Sequence, residues 1–272
     1  MHYMVVADTD VGIVKDTNQD SILVKQARYK EKEIVMAIIC DGMGGLSKGE
    51  LASATVIRAL AQWFDNELPK EIDNLNMDVI GGKWSLLLKN LNNKIIQYGQ
   101  RTDVSLGTTF TGMLFCDDQY LICHVGDTRA YYIGQALQQL TTDQTFIARE
   151  IAKGTMTVEQ AKTDKRRNLL LQCIGASDKV EPQIIKGRIA EGVYMLCSDG
   201  FRHEITSEEI YTHFKPSKLK NKESMHANAR TLIDENKKRQ EKDNISVVLI
   251  KVYQEDWQWQ KSEQLLMVNM KY

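Results

Sequence analysis

The sequence predicts an α+β protein in which mainly antiparallel sheets pack together and helices cover them on the outside. Three observations carry this. Short apolar, β-branched runs recur between turn residues, many joins are too short for a parallel crossover, and paired helical stretches separate the strand groups.

Glu33 to Cys40 is the first strand run. Glu50 to Phe64 and Lys83 to Tyr98 follow with helical spacing, the second carrying Trp84, Leu87, Leu88, Leu91, Ile95 and Tyr98 on one stripe. Thr108 to Phe115, Tyr120 to Val125 and Arg129 to Ile133 are the next strands. They are joined through Cys116-Asp117-Asp118-Gln119 and Gly126-Asp127-Thr128, lengths that suit hairpins. Residues 144 to 175 form a polar excursion rich in Lys, Arg and Gln, with one helical piece near Val158 to Ala161. Val193 to Cys197 and Ile245 to Val252 complete the strands. Between them, Thr206-Ser207-Glu208-Glu209 has the reciprocal capping pattern that opens a helix, and Lys222 to Lys237 is a more polar surface helix. The residues from Tyr253 onward carry Trp257, Trp259 and Leu265-Leu266-Met267, and are expected to pack on the domain.

With 43% hydrophobic and 26% charged residues, the chain of 272 can bury a core and has no bias toward disorder. Lys plus Arg number 35 and Asp plus Glu 36, a net charge of −1, so no field gathers polyanions and a nucleic-acid partner is not expected. The longest apolar run, Ile34 to Cys40, falls far short of the ~20 residues of a bilayer span, and the start lacks a signal-peptide pattern. A cytoplasmic protein without membrane contact is the expectation. The five cysteines are odd in number and contain no C-x-x-C pair, which predicts reduced, buried thiols. Only Pro69, Pro182 and Pro216 occur and no Gly/Ser/Pro-rich linker interrupts the chain, so one integrated domain is expected.

Several aspartates stand at the exits of apolar runs: Asp41 after Ile38-Ile39-Cys40, Asp127 after His124-Val125-Gly126, and Asp199 after Leu196-Cys197-Ser198. Singly, Asp41-Gly42 and Asp199-Gly200 read as hairpin turns, since both residues tolerate positive φ. Together with Asp243, just before the last strand, they offer converging carboxylates that demand a compensating cation. Carboxylate and carbonyl oxygens, without histidine or cysteine ligands at recognisable spacing, select Mg²⁺ or Mn²⁺ over zinc. Gly42-Met43-Gly44-Gly45 matches neither nucleotide fingerprint, because Glu50-Leu51 follows Gly44 to Gly49 where a P-loop needs Lys then Ser or Thr. Glycine does allow a backbone carbonyl, such as that of Gly42, to approach an ion closely.

The ordered set runs through Asn18-Gln19-Asp20-Ser21, Asp41-Gly42-Met43-Gly44-Gly45, Gly49-Glu50-Leu51-Ala52-Ser53 and Gly107-Thr108-Thr109. It continues through Val125-Gly126-Asp127-Thr128-Arg129-Ala130, Leu140-Thr141, Gly175, Cys197-Ser198-Asp199-Gly200 and Asp243-Asn244-Ile245-Ser246-Val247-Val248. This resembles the metal-dependent serine/threonine protein phosphatases of type 2C, especially the compact bacterial ones, from about Gly12 to Val252. The resemblance implies a four-layer α/β/β/α sandwich, two antiparallel sheets face to face with a helix pair on each outer side. It also implies a site for two Mn²⁺ or Mg²⁺ ions at one end.

Position by position, it implies that Asp41 bridges both ions, that the Gly42 carbonyl binds the first, and that Asp199 and Asp243 hold the second. Asp20 would sit in or beside the inner ligand set, and Asp127 would help bind a weaker third ion. Thr163 falls near a flap residue implicated in that third-ion region. Two cations ~3.5–4 Å apart would activate a water for in-line attack on phosphorus without a phosphoenzyme. Residues 1–252 would then be one catalytic domain, with 144–175 as its flap and 253–272 as a C-terminal extension.

Four positions depart from the family's pattern. Lys15 stands where an arginine grips the substrate phosphate, keeping the charge but losing the bidentate fork. Gln19 replaces the glutamate before Asp20, which predicts weaker metal affinity. Met43 stands where eukaryotic relatives place a histidine, and Gln144 replaces a histidine often found after Leu-Thr-x-Asp. His124 reads as a core histidine, and His203, although close after Asp199-Gly200, as a surface one.

The expected function is a metal-dependent phosphatase acting on phosphoserine and phosphothreonine of proteins modified by a serine/threonine kinase, in the cytoplasm and as a monomer. Asp41 and Lys15 are the residues expected to carry catalysis. The rival is a catalytically silent relative that binds phosphoproteins as a regulator. Lys15 and Gln19 motivate it, and the intact set Asp41, Asp199 and Asp243 argues against it.

Overall fold

The computed structural model describes residues 1–43 and 48–254; Gly44, Gly45 and the aromatic C-terminal segment lie outside them. In chain order the strands are β1 (His2–Asp10), β2 (Ser21–Tyr29), β3 (Lys32–Cys40), β4 (Phe110–Cys116), β5 (Gln119–Val125), β6 (Arg129–Ile133), β7 (Leu137–Gln139), β8 (Gln183–Arg188), β9 (Gly192–Cys197) and β10 (Ile245–Tyr253). The helices are α1 (Gly49–Asn66), α2 (Leu68–Glu71), α3 (Met77–Thr102), α4 (Phe146–Ala152), α5 (Val158–Thr163), α6 (Asp199–Arg202), α7 (Ser207–Phe214) and α8 (Lys222–Lys238).

Two five-stranded sheets result, in the orders β1-β10-β9-β6-β7 and β2-β3-β4-β5-β8, with antiparallel pairing throughout. The two-residue period of a strand sorts the side chains of β3 between two cores. Val35, Ala37 and Ile39 point at the second sheet and meet Leu196, Val248 and Ile250. Ile34, Met36, Ile38 and Cys40 point outward, beneath Val56, Leu60 and Trp63 of α1 and Trp84 and Leu88 of α3. On the other outer face, Val193, Met195 and Cys197 of β9 pack under Ile210 and Phe214 of α7 and Met225, Ala229, Leu232 and Ile233 of α8. The order of layers is therefore helices, sheet, sheet, helices, as the resemblance implies.

Antiparallel pairing brings strand starts and strand ends to one edge. Ser21 opens β2 opposite Cys40, where β3 stops, and Cys197 closes β9 opposite Val247 near the start of β10. The residues just beyond, Asp20, Asp41, Asp199 and Asp243, are thereby delivered to the same end of the sandwich.

The structure departs from several expectations. Strands β1, β2, β7 and β8 are additional to the six expected, α4 is additional within the flap, and α3 is longer than Lys83 to Tyr98. The strand expected from Thr108 begins at Phe110 instead, because Thr108 is spent on isolated bridges to Gly42 and Ile174. Neither Asp-Gly pair turns a hairpin. Asp41-Gly42 leads from β3 toward α1, and Asp199-Gly200 opens α6. Neither glycine adopts a positive φ. The requirement at Gly42 is space: a Cβ there would come within 2.6 Å of the Gln19 carbonyl oxygen and of the backbone of Gly49. All five cysteines are free and buried, as expected.

Candidate functional site

The Asp41 loop is fixed by its own backbone. The Asp41 amide donates to Thr109 Oγ1 (3.0 Å), and its carbonyl accepts from the Thr109 amide (2.8 Å) and Thr108 Oγ1 (2.9 Å). The Gly42 amide donates to the Gln19 carbonyl (3.2 Å) and the Met43 amide to the Gly107 carbonyl (3.0 Å). The Gly107-Thr108-Thr109 run thus earns its place by holding the chain that presents Asp41.

Burial pushes the Asp41 carboxyl well above the usual carboxylate range, and the charges of Asp20, Asp199, Asp127 and Asp243 push it further. Burial also moves Asp20 up to about 7, with Asp199 and Asp243 adding to the effect and the hydroxyls of Ser246 and Ser198 opposing it. Those hydroxyls do not complete bonds to it: both Asp20 oxygens, and Oδ1 of Asp199, are buried without a hydrogen-bond partner. Asp127 is likewise raised to about 7 by burial, then by Asp199. Buried acceptors with nothing to accept from are costly, and like charges this close raise the cost.

Such a donor set suits a hard cation. Among the described residues, however, no three His, Cys, Asp or Glu side chains close on one point as a cage would. A hard cation such as Mg²⁺ keeps several of its waters and does not need a closed protein cage. The orphaned oxygens of Asp20 and Asp199 are the observation that fits a cation here.

Lys15 lies at the same edge, its Nζ 3.3 Å from Asp243 Oδ1. Asn244 ties its loop down: Nδ2 donates to the carbonyls of Val11 (2.9 Å) and Thr17 (3.2 Å), and Oδ1 accepts from the Gln19 amide (2.9 Å). Gln19 Nε2 donates to Glu50 Oε2 at 3.3 Å, a contact that a glutamate at position 19 could not make. Its departure from the family's pattern is thus matched by a partner one loop away. Gln144 also has a structural account: its Oε1 accepts from the Gly126 amide (3.0 Å) and its own amide donates to the Gly126 carbonyl (2.7 Å), hinging the flap beside Asp127.

Thr163 is exposed at the end of α5 with its hydroxyl directed to the Gln160 carbonyl (3.3 Å), and none of its contacts joins it to the carboxylates. His124 is a core residue, as expected: its ring spans Thr111 Oγ1 (2.8 Å) and the Thr142 carbonyl (3.1 Å), and burial lowers its pKa to about 4.

His203 is exposed, as expected, yet it stands beside the site. Nε2 lies 3.5 Å from Asp199 Oδ2 and Nδ1 3.4 Å from Glu241 Oε2. Burial disfavours its charge, but Glu241 and Asp199 outweigh burial and the imidazole pKa is raised. Glu241 Oε1 accepts from the amides of Lys242 (2.7 Å) and Asp243 (2.9 Å), so it shapes the turn that presents Asp243. Sequence reasoning missed Glu241 and also Arg202, whose Nη2 is 3.0 Å from the Asp127 carbonyl oxygen. The only local signal was adjacency to Asp243 and Asp199.

Carboxylates gathered at the edge of a four-layer sandwich, with a lysine beside them, are the arrangement that the resemblance to type 2C phosphatases implies. The family described as "Protein phosphatase 2C" matches residues 13–245, and the chain belongs to it. The chain is 31% identical over 208 residues to the serine/threonine protein phosphatase PstP of Mycobacterium tuberculosis, 75% of this chain but 37% of that protein's length. It is 32% identical over 206 residues to the protein phosphatase PhpP of Streptococcus pneumoniae, 74% of this chain and 80% of PhpP. Among solved structures, the S. agalactiae serine/threonine phosphatase superposes with a TM-score of 0.81 at 26% identity, covering 93% of this chain and all of that one. The PstP catalytic domain, solved in complex with two manganese ions, gives 0.74 at 28% identity over 93% of this chain and 99% of its own. Among the described residues no helix is long and apolar enough to cross a membrane.

Proposed function

We propose that this chain is a metal-dependent protein phosphatase that hydrolyses phosphoserine and phosphothreonine in proteins phosphorylated by a serine/threonine kinase. The observation that carries the reading is the mutually repelling set Asp20, Asp41, Asp199 and Asp243, in which both oxygens of Asp20 and Oδ1 of Asp199 are buried without a partner. The manganese pair in the PstP domain supports assigning these donors to two Mn²⁺ or Mg²⁺ ions.

In this reading Asp41 would serve both ions and the Gly42 carbonyl the first. Asp199 and Asp243 would hold the second, with Asp20 in or beside the ligand set. Ions held there would lower the pKa of a water and neutralise phosphoryl oxygens. Lys15 then supplies the side-chain cation for the phosphate: released from Asp243, its ammonium meets phosphoryl oxygens as a point charge without a fork. Thr108 and Thr109 keep the Asp41 backbone fixed, and Glu241 and His203 keep the Asp243 turn and α6 in register. Residues 1–252 act as one catalytic domain with 144–175 as flap, in a cytoplasmic monomer.

Hydrolysis of a phosphothreonine peptide with Mn²⁺, Mg²⁺ or EDTA tests the reading. Metal-dependent turnover that EDTA abolishes is expected. A folded protein with no turnover at any metal concentration would refute it and leave a non-catalytic phosphoprotein binder.

A further inference from the structure

We propose that Arg202 is a built-in cation at Asp127, occupying the place a third divalent ion would need, so that this chain binds two ions and not three. The proposal rests on the reading of the carboxylate edge as a two-ion centre. Arg202 Nη2 stands 3.0 Å from the Asp127 carbonyl oxygen, 3.6 Å from Asp127 Oδ2 and 3.7 Å from Asp143 Oδ2. Both Arg202 and Asp127 have side chains only 14% exposed. Asp143 is clasped from its other side by Arg129, through parallel bonds of 2.8 and 2.6 Å. The four side chains alternate in sign: Arg129, Asp143, Arg202, Asp127.

A guanidinium in such a place is a permanent cation. It does not lose its proton at any ordinary pH and has no lone pair to offer a metal. Its Nε is buried without a partner, so the group is held by the two carboxylates and one carbonyl. A divalent ion on Asp127 would have to bind against that charge in surroundings that screen poorly. The other donor expected near a third ion, Thr163, is exposed on α5 and turned to the Gln160 carbonyl. Because Arg202 ends α6, three residues after Asp199, the same contact fixes the helix that presents Asp199.

The test is equilibrium dialysis of the full chain against Mn²⁺ up to millimolar concentration, counting bound manganese per chain. Two ions are expected on the wild type and three on Arg202→Met, the third leaving first on dilution. The double variant Arg202→Met with Asp127→Asn is expected to return to two. Three ions on the wild type, two on a folded Arg202→Met, or three on the double variant would overturn the proposal. No ion on the wild type would instead overturn the underlying two-ion reading. If Arg202→Met does not fold by circular dichroism, Arg202→Gln replaces it, and the wild-type count still decides.

Discussion

Asp8 in β1 of one sheet and Asp20 just before β2 of the other both carry their carboxylates out of water, and the protein treats them in opposite ways. Asp8, only 7% exposed, has each oxygen partnered from α8: Oδ1 accepts from Arg230 Nε at 2.9 Å and Oδ2 faces His226 Nδ1 at 2.8 Å. Neighbouring Asp10 receives Lys237 at 3.1 Å. Asp20 has neither oxygen partnered and three like charges for company. The first arrangement pins a helix to β1 and stabilises the fold. The second is unfavourable until a cation arrives, so it makes sense only as a site.

Exchanging the chemistry at each place should separate stability from activity. Asp199→Asn is expected to lower phosphatase activity roughly 10³-fold, the several kcal/mol an ion supplies to charge in the transition state. Its metal-free melting temperature should hold or rise.

In the metal-free wild type, Asp20 and Asp127 have folded-state pKa values near 7 against 3.8 for the ordinary carboxyl. The folded state then binds more protons than the unfolded one, and stability falls as pH rises from about 4 to 7, by roughly 3 kcal/mol for each carboxyl. Thermal melting in EDTA across that window checks the slope, from which Mn²⁺ should remove the Asp20 part by binding the deprotonated form and leave that of Asp127.

Asp8→Asn is expected to cost about 1 to 2 kcal/mol in urea unfolding, since Arg230 and His226 are half-exposed and water screens the loss. Activity per folded molecule should not change. Asp20→Asn should do the reverse, stabilising the metal-free protein by about 1 kcal/mol while weakening Mn²⁺ binding about tenfold by calorimetry. The smallest effect is expected for Lys15→Arg: restoring the fork should lower KM for a phosphopeptide a few-fold with little change in kcat.

The same contrast explains what the sequence made legible. Asp41, Asp199 and Asp243 were visible because each stands at a strand boundary, where the two-residue period simply stops. The β2–β3 hairpin was not, because its turn is Lys30-Glu31, with Lys30 at φ 55° and no Asn or Gly to announce it. β8 was missed because Gln183–Arg188 is an edge strand with Ile184, Lys186 and Arg188 exposed and Gln183, Ile185 and Gly187 half-covered, so no apolar alternation marks it. Within the site, Arg202 reaches Asp127 and His203 reaches Glu241 across dozens of residues, and no local pattern encodes which carboxylate a cation will reach. Gln19 read as a loss in sequence and proves a matched pair with Glu50.

The carboxylate edge destabilises the fold unless cations compensate it. Melting wild type and Asp199→Asn by near-ultraviolet circular dichroism through a Mn²⁺ titration tests it most directly. The wild type should gain stability as Mn²⁺ rises, while Asp199→Asn should melt at least as high in EDTA and gain little from the metal. A wild-type melting temperature indifferent to Mn²⁺, together with an Asp199→Asn protein that is simply less stable, would contradict it.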